Sequence, residues 1–211
     1  MSSTLRTLFM TALLGTAPAL AVSFGNLNVT PRGPQNLNLE TGATDLPQGG
    51  TATDAKSGLK LVAAQMQLQP GKQLTAQGAT VTLRQGGTLK ASRVVYDLAA
   101  GTVTATGEVQ YNDARFQNLR AARMTVFLKG GVVTAAGDVR ASNPVLGTPA
   151  VSFDPSTMQA LAQAPVNLKQ GSLKAAVGSG HLLVTFGGPR VLRATNRVDS
   201  ATLGRFAPYL K

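Results

Sequence analysis

Thr102-Val103-Thr104-Ala105-Thr106-Gly107-Glu108-Val109-Gln110-Tyr111 is the stretch whose reading decides the fold. Val103, Ala105, Gly107, Val109 and Tyr111 fall on one side of an extended chain, and Thr102, Thr104, Thr106, Glu108 and Gln110 on the other. That alternation predicts a strand with one dry face and one wet face. The same text returns thirty residues later, where Gly101-Thr102-Val103-Thr104-Ala105-Thr106-Gly107-Glu108-Val109 becomes Gly131-Val132-Val133-Thr134-Ala135-Ala136-Gly137-Asp138-Val139. Leu89-Lys90-Ala91-Ser92-Arg93 returns at the same offset as Leu119-Arg120-Ala121-Ala122-Arg123. A shared offset over two blocks marks duplication of a structural unit, and stacked units of this size bury their apolar faces against one another.

Each unit reads as a β-hairpin plus a connection. Val94, Tyr96 and Leu98 alternate before the first block, and Met124, Val126 and Leu128 before the second, with Ala99-Ala100-Gly101 and Lys129-Gly130-Gly131 as turns. Gly107 and Gly137 lie inside strands, where a glycine signals a bulge, a bend or a close approach. Leu61 to Gly78 is a fainter copy. Leu173-Lys174-Ala175-Ala176 opens another, whose second strand is expected from Arg190 to Arg197 after Gly187-Gly188-Pro189. Degenerate end copies suit the capping units of a stack. The segment 143–170 contains Pro144, Pro149, Pro155 and Pro165 and is expected to be an irregular insertion, with a short helix at 156–163. Residues 22–58, rich in Gly, Pro and Asn, read as an irregular segment or edge strand, and 199–211 as a tail.

The pattern Leu-x-Ala-x-x-x-x-Tyr followed by Gly-x-Val-x-Ala-x-Gly-x-Val resembles the OstA-like domain. That domain occurs in the lipopolysaccharide-transport proteins LptA and LptC and in the N-terminal part of LptD. Here Leu89, Ala91, Tyr96, Gly101, Val103, Ala105, Gly107 and Val109 carry it, then Leu119, Ala121, Gly131, Val133, Ala135, Gly137 and Val139. The resemblance covers about 59–142 and extends over 172–198, so the expected domain is 59–198. It implies an all-β fold, an open, twisted antiparallel β-jellyroll bent like a taco, whose dry interior shields acyl chains in transit. It also implies an amphiphilic lipid or lipopolysaccharide-like glycolipid as cargo, and other OstA-like envelope proteins as partners through head-to-tail strand pairing. The groove candidates are Tyr96, Leu98, Val103, Val109, Met124, Val126, Leu128, Val133 and Val139, with Arg93 and Arg123 as candidates for anionic headgroups. The same sheet filled by its own side chains would be a structural adaptor that joins envelope proteins through its edges.

Composition leaves both versions open. With 23 glycines and 5% aromatic residues, many inward positions are small. Such a wall either leaves room for a ligand or is filled by Leu and Val from the opposite layer. At the N-terminus Arg6, the apolar run Leu8 to Leu14 and Ala19-Leu20-Ala21 predict a secretory signal over 1–21, and hence a periplasmic protein; the alternative is an uncleaved anchor. There is no cysteine, so neither a lipobox nor a disulfide framework is available.

The net charge of +11, or +10 without Arg6, makes phosphate-rich partners attractive, namely lipid headgroups, anionic glycans or nucleic acid, and a third reading is a secreted polyanion-binding protein whose binding falls steeply with salt. Arg93 and Arg123 could form a column of charge, or simply a solvated face that guards strand edges. Export and the scarcity of aromatics, with no Trp and three Tyr, argue against nucleic acid. No catalytic, cofactor or metal site is expected. His181 is the single histidine, Glu108 and Asp138 are repeat equivalents rather than a catalytic pair, and no phosphate-binding loop or nucleophile motif occurs.

Overall fold

The computed structural model describes residues 22–24 and 26–210; the expected export signal lies outside them. Seventeen strands follow one another: β1 (Val22–Phe24), β2 (Leu27–Pro31), β3 (Asn36–Leu37), β4 (Thr44–Leu46), β5 (Gly50–Asp54), β6 (Leu59–Gln69), β7 (Gln73–Thr82), β8 (Thr88–Asp97), β9 (Thr102–Asn112), β10 (Leu119–Phe127), β11 (Val132–Ser142), β12 (Val145–Asp154), β13 (Gln159–Gln163), β14 (Val166–Gln170), β15 (Leu173–Val177), β16 (His181–Gly187) and β17 (Arg190–Thr195). A helix, α1 (Ser200–Phe206), and a 3-10 turn at Ala207–Tyr209 complete the described chain. The fold is all-β, one open antiparallel sheet of the jellyroll or taco kind.

The repeated hairpins are its spine. β6 to β12 form an uninterrupted meander, each strand paired with the next. What bends this meander is a slip in the alternation of each strand. In β6 the buried residues are Leu59, Leu61 and Ala63, then Met66 and Leu68. In β8 they are Leu89 and Ala91, then Val94 and Tyr96. A step of three would send the second set to the outer face of a straight strand, because side chains alternate. Burying both sets requires the strand to turn between them. β9 and β11 reach the same corner with an extra residue: the register shifts at Gly107-Glu108 and Gly137-Asp138. All four residues have positive φ, 72° and 51° in β9 and 82° and 48° in β11. These are β-bulges, as the strand-interior glycines suggested.

The corners align across the sheet into a crease. Ala64, Gly78, Ser92, Gly107, Ala122 and Gly137 follow one another along it, and all six are exposed. Gly107 and Gly137 therefore do not sit on the dry face that simple alternation assigns to them, because the bulge rotates them outward. Small size matters here, since a Cβ on Gly137 would stand 2.7 Å from the Ala122 Cβ, and one on Gly107 3.0 Å from the Ser92 Cβ.

The crease divides the sheet into two layers. Layer I holds residues 59–63 of β6, the corresponding arms of β7 to β12, and β5, β2 and β1 at one end with β14 and β15 at the other. Layer II holds residues 65–69 of β6, the other arms, and β4 and β3 at one end with β13, β16 and β17 at the other. β6 and β12 are the branch points, since each gives its two arms to different neighbours. One continuous core fills the space between the layers. Each fully buried Leu or Val in it contributes about 1.5–3 kcal/mol.

Three expectations are corrected. Residues 22–58 contain five strands, of which β5 and β4 extend the two layers. The span 143–170 is not irregular but supplies β12, β13 and β14, and the helix expected at 156–163 is a turn followed by β13. The Asp154 carboxylate accepts hydrogen bonds from the Ser156 backbone N–H (2.7 Å) and hydroxyl (2.6 Å), which turns the chain into β13. Ala160 and Ala162 then face the core while Leu161 packs in a second cluster with Phe206 and Leu210, so β13 is buried on both sides. Leu173 begins β15, which pairs with β14; the strand that pairs with β17 is β16, joined through the turn at Gly187-Gly188-Pro189.

The expected tail 199–211 contains α1, capped by Asp199, whose carboxylate accepts from the Thr202 N–H at 2.8 Å. Arg205 pairs with Asp154, and Tyr209 packs tilted against Phe127 with ring centroids 4.7 Å apart.

The crease yields the first prediction. Gly137→Ala combines a left-handed backbone with a Cβ collision and should destabilise the protein by about 1–3 kcal/mol in urea unfolding. Replacing Glu108 with Gly relieves a strained non-glycine φ and should stabilise by roughly 0.5–1 kcal/mol in the same measurement.

Candidate functional site

The nine groove candidates do come together, on the facing surfaces of the two layers. Tyr96, Val103, Val109, Met124, Val126, Val133 and Val139 are at most 5% exposed, and Leu98 and Leu128 are partly buried against the same core. Val109 and Val139 lie in layer I, close to the crease, and the others in layer II. The surface they form is covered by the opposite layer, so the interior is filled by the protein's own side chains.

Opposite the crease the two layers meet along a mouth closed by three polar or aromatic clasps. At the first, Asp54 at the end of β5 accepts a 2.6 Å hydrogen bond from the Tyr96 hydroxyl at the end of β8. The same carboxylate accepts from the backbone N–H groups of Lys56 (2.9 Å) and Ser57 (3.3 Å). Burial of Asp54 raises its pKa, but the bonds from Tyr96, Ser57 and Lys56 outweigh it, and the carboxyl is held below its ordinary value. Burial, with the Asp54 charge beside it, pushes the Tyr96 phenol well above its ordinary range, so it stays a donor.

The second clasp centres on Arg115, which is 3% exposed. Arg115 pairs with Asp113, which also accepts from the Tyr111 hydroxyl at 2.9 Å. Its guanidinium lies 4.8 Å from the centre of the Phe153 ring, on the other layer. Tyr111 and Phe116 both pack on Phe153, with centroids 5.4 and 5.3 Å away. At the third, the Gln170 side-chain amide donates to the Pro189 carbonyl (2.8 Å) and accepts from the Val191 N–H (2.6 Å).

Between the first two clasps the mouth is open. A cavity of about 220 Å³ lies there, lined among others by Leu59, Leu83, Val126, Leu128 and Val133, with Lys56 and Arg84 at its rim. Three groove candidates, Val126, Leu128 and Val133, thus line a cavity that leads between the layers. It is smaller than the roughly 300–1,000 Å³ of ordinary ligand pockets.

The remaining candidates lie outside. Arg93 and Arg123 are exposed on layer II beside the crease. Both pair in register with Thr106, which separates them by two strands, about 10 Å. The repeat therefore does set them in one row. Glu108 and Asp138 are exposed at the bulges, and Asp138 pairs with Arg140 at 3.0 Å. His181 begins β16 opposite Gln163. Among the described residues no group of three or more His, Asp or Glu side chains could hold a metal ion, and no helix is long and apolar enough to cross a membrane.

Sequence reasoning missed the clasps. Asp54 and Arg115 lie outside the repeated blocks, and their partners are on the opposite layer. Only the odd placement of Asp113 and Arg115 beside the aromatic Phe116 hinted at a buried charge.

Among the described residues β15 and β17 each pair on one side only, as do β1 and β3. Leu173, Ala175 and Val177 on β15, and Val191 and Ala194 on β17, are only partly buried where they continue the core. The chain matches no family model, and a comparison with curated proteins returns no match.

The first clasp can be tested directly. Tyr96→Phe leaves the buried Asp54 without its hydroxyl donor and should cost about 1–3 kcal/mol of unfolding free energy at neutral pH. Because the folded-state pKa of Asp54 lies below its unfolded value, its contribution is present above about pH 4 and is lost as the pH falls through the folded value. In Tyr96→Phe this acid-dependent part should shrink, measured as a flatter stability curve between pH 5 and pH 2 (roughly the window set by carboxylate titration).

Proposed function

We propose that this chain is an exported, non-catalytic envelope protein that shelters the acyl chains of an amphiphile between its two layers and passes it on to similar modules. A lipopolysaccharide-like glycolipid fits this description. The observation that carries the reading is the opening between the clasps, which leads from the surface onto Val126, Leu128 and Val133 of a continuous apolar core. Lys56 and Arg84 at its rim can meet an anionic headgroup while the chain lies inside. β15 and β17, each paired on one side only among the described residues and only partly covered, would let neighbouring domains extend the sheltered path by strand pairing.

The mechanism would be passive. Burial of an acyl chain gains about 0.8 kcal/mol per CH₂, so roughly fourteen carbons gain about 10 kcal/mol as an upper bound. A membrane or a neighbouring groove offers nearly the same, which keeps transfer close to isoenergetic. The opening is too small for such a chain while the interior is closed, so loading requires the layers to part at the mouth. The clasps set the cost of that motion.

The close packing of the core favours a second reading, in which the sheet is an adaptor and only its edges act. Native mass spectrometry of protein purified gently from its own envelope separates the two. The lipid reading expects a stoichiometric amphiphile adduct. Leu128→Arg, at a half-buried position of the mouth, should reduce that adduct at least about tenfold, a loss of roughly 1.4 kcal/mol, with far-UV circular dichroism unchanged. A bare protein mass that persists after incubation with envelope lipids would instead support the adaptor, whose assembly should be abolished by Ala175→Lys on the β15 edge.

A further inference from the structure

The outer face of layer I carries a feature that neither reading uses. Two hollows of about 1050 and 1120 Å³ lie beside the crease and share Asp138 and Arg140, so they form one trough. It runs across the strands from β7 to β15. At about 4.8 Å per strand this is roughly 34 Å long. Its floor near the crease is made of small residues, Gly78, Ser92, Ala122 and Gly137.

The cations of this trough are arranged by the strand register. Lys90, Gln110, Arg120 and Arg140 form one continuous row, with Arg120 directly opposite Arg140. Further along, Lys169 stands directly opposite Lys174. All five cations are exposed. Like charges directly opposite one another across antiparallel strands destabilise a sheet, yet this occurs twice in one trough. Among the described residues, Arg140 is the only one of the five in an ion pair. Glu108 and Asp138 are the acids of the lining, which leaves the cations in excess by three. The sequence signal is the repeated Leu-basic-Ala-small-Arg motif, whose basic second residue, Lys90 or Arg120, faces the trough while its small residue forms the crease.

We propose that this trough binds a linear anionic polysaccharide laid across the strands. Its length and shape suit an extended polymer, and its cation excess supplies the attraction. Between the cations it offers side-chain amide and hydroxyl groups, from Gln110, Asn167, Thr80 and Ser92, that match sugar hydroxyls. No aromatic side chain lines it, so nucleic-acid bases have nothing to stack on. A flat membrane surface would not follow its hollow. This site lies on the opposite face of the sheet from the mouth, and the inference stands independently of lipid carriage.

The test is fluorescence anisotropy with labelled dextran sulfate on the full chain, between 25 and 200 mM salt. Arg120→Gln with Arg140→Gln should weaken binding about tenfold or more and lower the salt dependence by about two released counterions. Lys169→Gln with Lys174→Gln should do the same. Arg190→Gln with Arg193→Gln, which removes equal charge from β17, should leave binding within about twofold. Equal losses in the β17 variant would reduce the effect to net charge and overturn the site. Binding of uncharged dextran as tight as that of dextran sulfate would overturn it too, as would preference for oligothymidine or for phosphatidylglycerol vesicles. In the ligand-free protein Lys174→Glu should raise Tm by roughly 1–3 °C by turning a repulsive pair into an attractive one; a lower Tm would remove the argument from opposed like charges.

Discussion

Everything in this molecule depends on the corner that each long strand makes at the crease. A strand of ten or eleven residues in a flat sheet would present one apolar face and need a separate layer to cover it. Here the alternation slips by one residue in β6 and β8, and an inserted left-handed pair does the equivalent work in β9 and β11. The two arms of each strand then face one another, and the sheet covers itself. The residues at the corner must be small, because successive strands approach so closely there that a methyl group on Gly137 would collide with Ala122.

Folding a sheet on itself leaves a mouth on the side away from the crease, where the turns of the two layers come together. The molecule closes that mouth with directional groups rather than with more apolar packing. Asp54 with Tyr96, Arg115 over Phe153, and Gln170 with Val191 are each one bond or stack deep. Buried polar contacts of this kind specify one arrangement strongly, but each is lost outright when its partner moves. The core behind them is held by apolar packing between the layers, so the clasps guard only its rim. The proposed sheltering of an acyl chain requires the layers to part at the mouth while the crease stays intact.

The architecture was legible in the repeated blocks because period-two alternation is a local property of the chain. The hairpins from β6 to β11, their turns and the bulges at Gly107 and Gly137 follow from residues that are neighbours in sequence. The misreadings share one cause. β13 is buried on both faces by the core and by α1, so its pattern has no wet side and looks like neither strand nor helix. β12, β14 and the strands of 22–58 are short or broken by Pro and Gly, and pairing makes them strands: β12 against β11, β14 against an arm of β12, and β4 and β5 against the two arms of β6.

For the candidate site, sequence alone determined which side chains face inward, since Tyr96, Val103, Met124 and Val133 occupy alternating positions that only burial explains. It also determined that Arg93 and Arg123 share a row, because equal offsets in stacked repeats give equal heights. Whether the inward face surrounds a vacant groove or a filled core was decided by the tertiary structure. That depends on how far apart the layers stand, a distance set by contacts between residues as remote as Asp54 and Tyr96. The opposition of Arg120 to Arg140, and of Lys169 to Lys174, was likewise decided by strand register, which no single strand encodes.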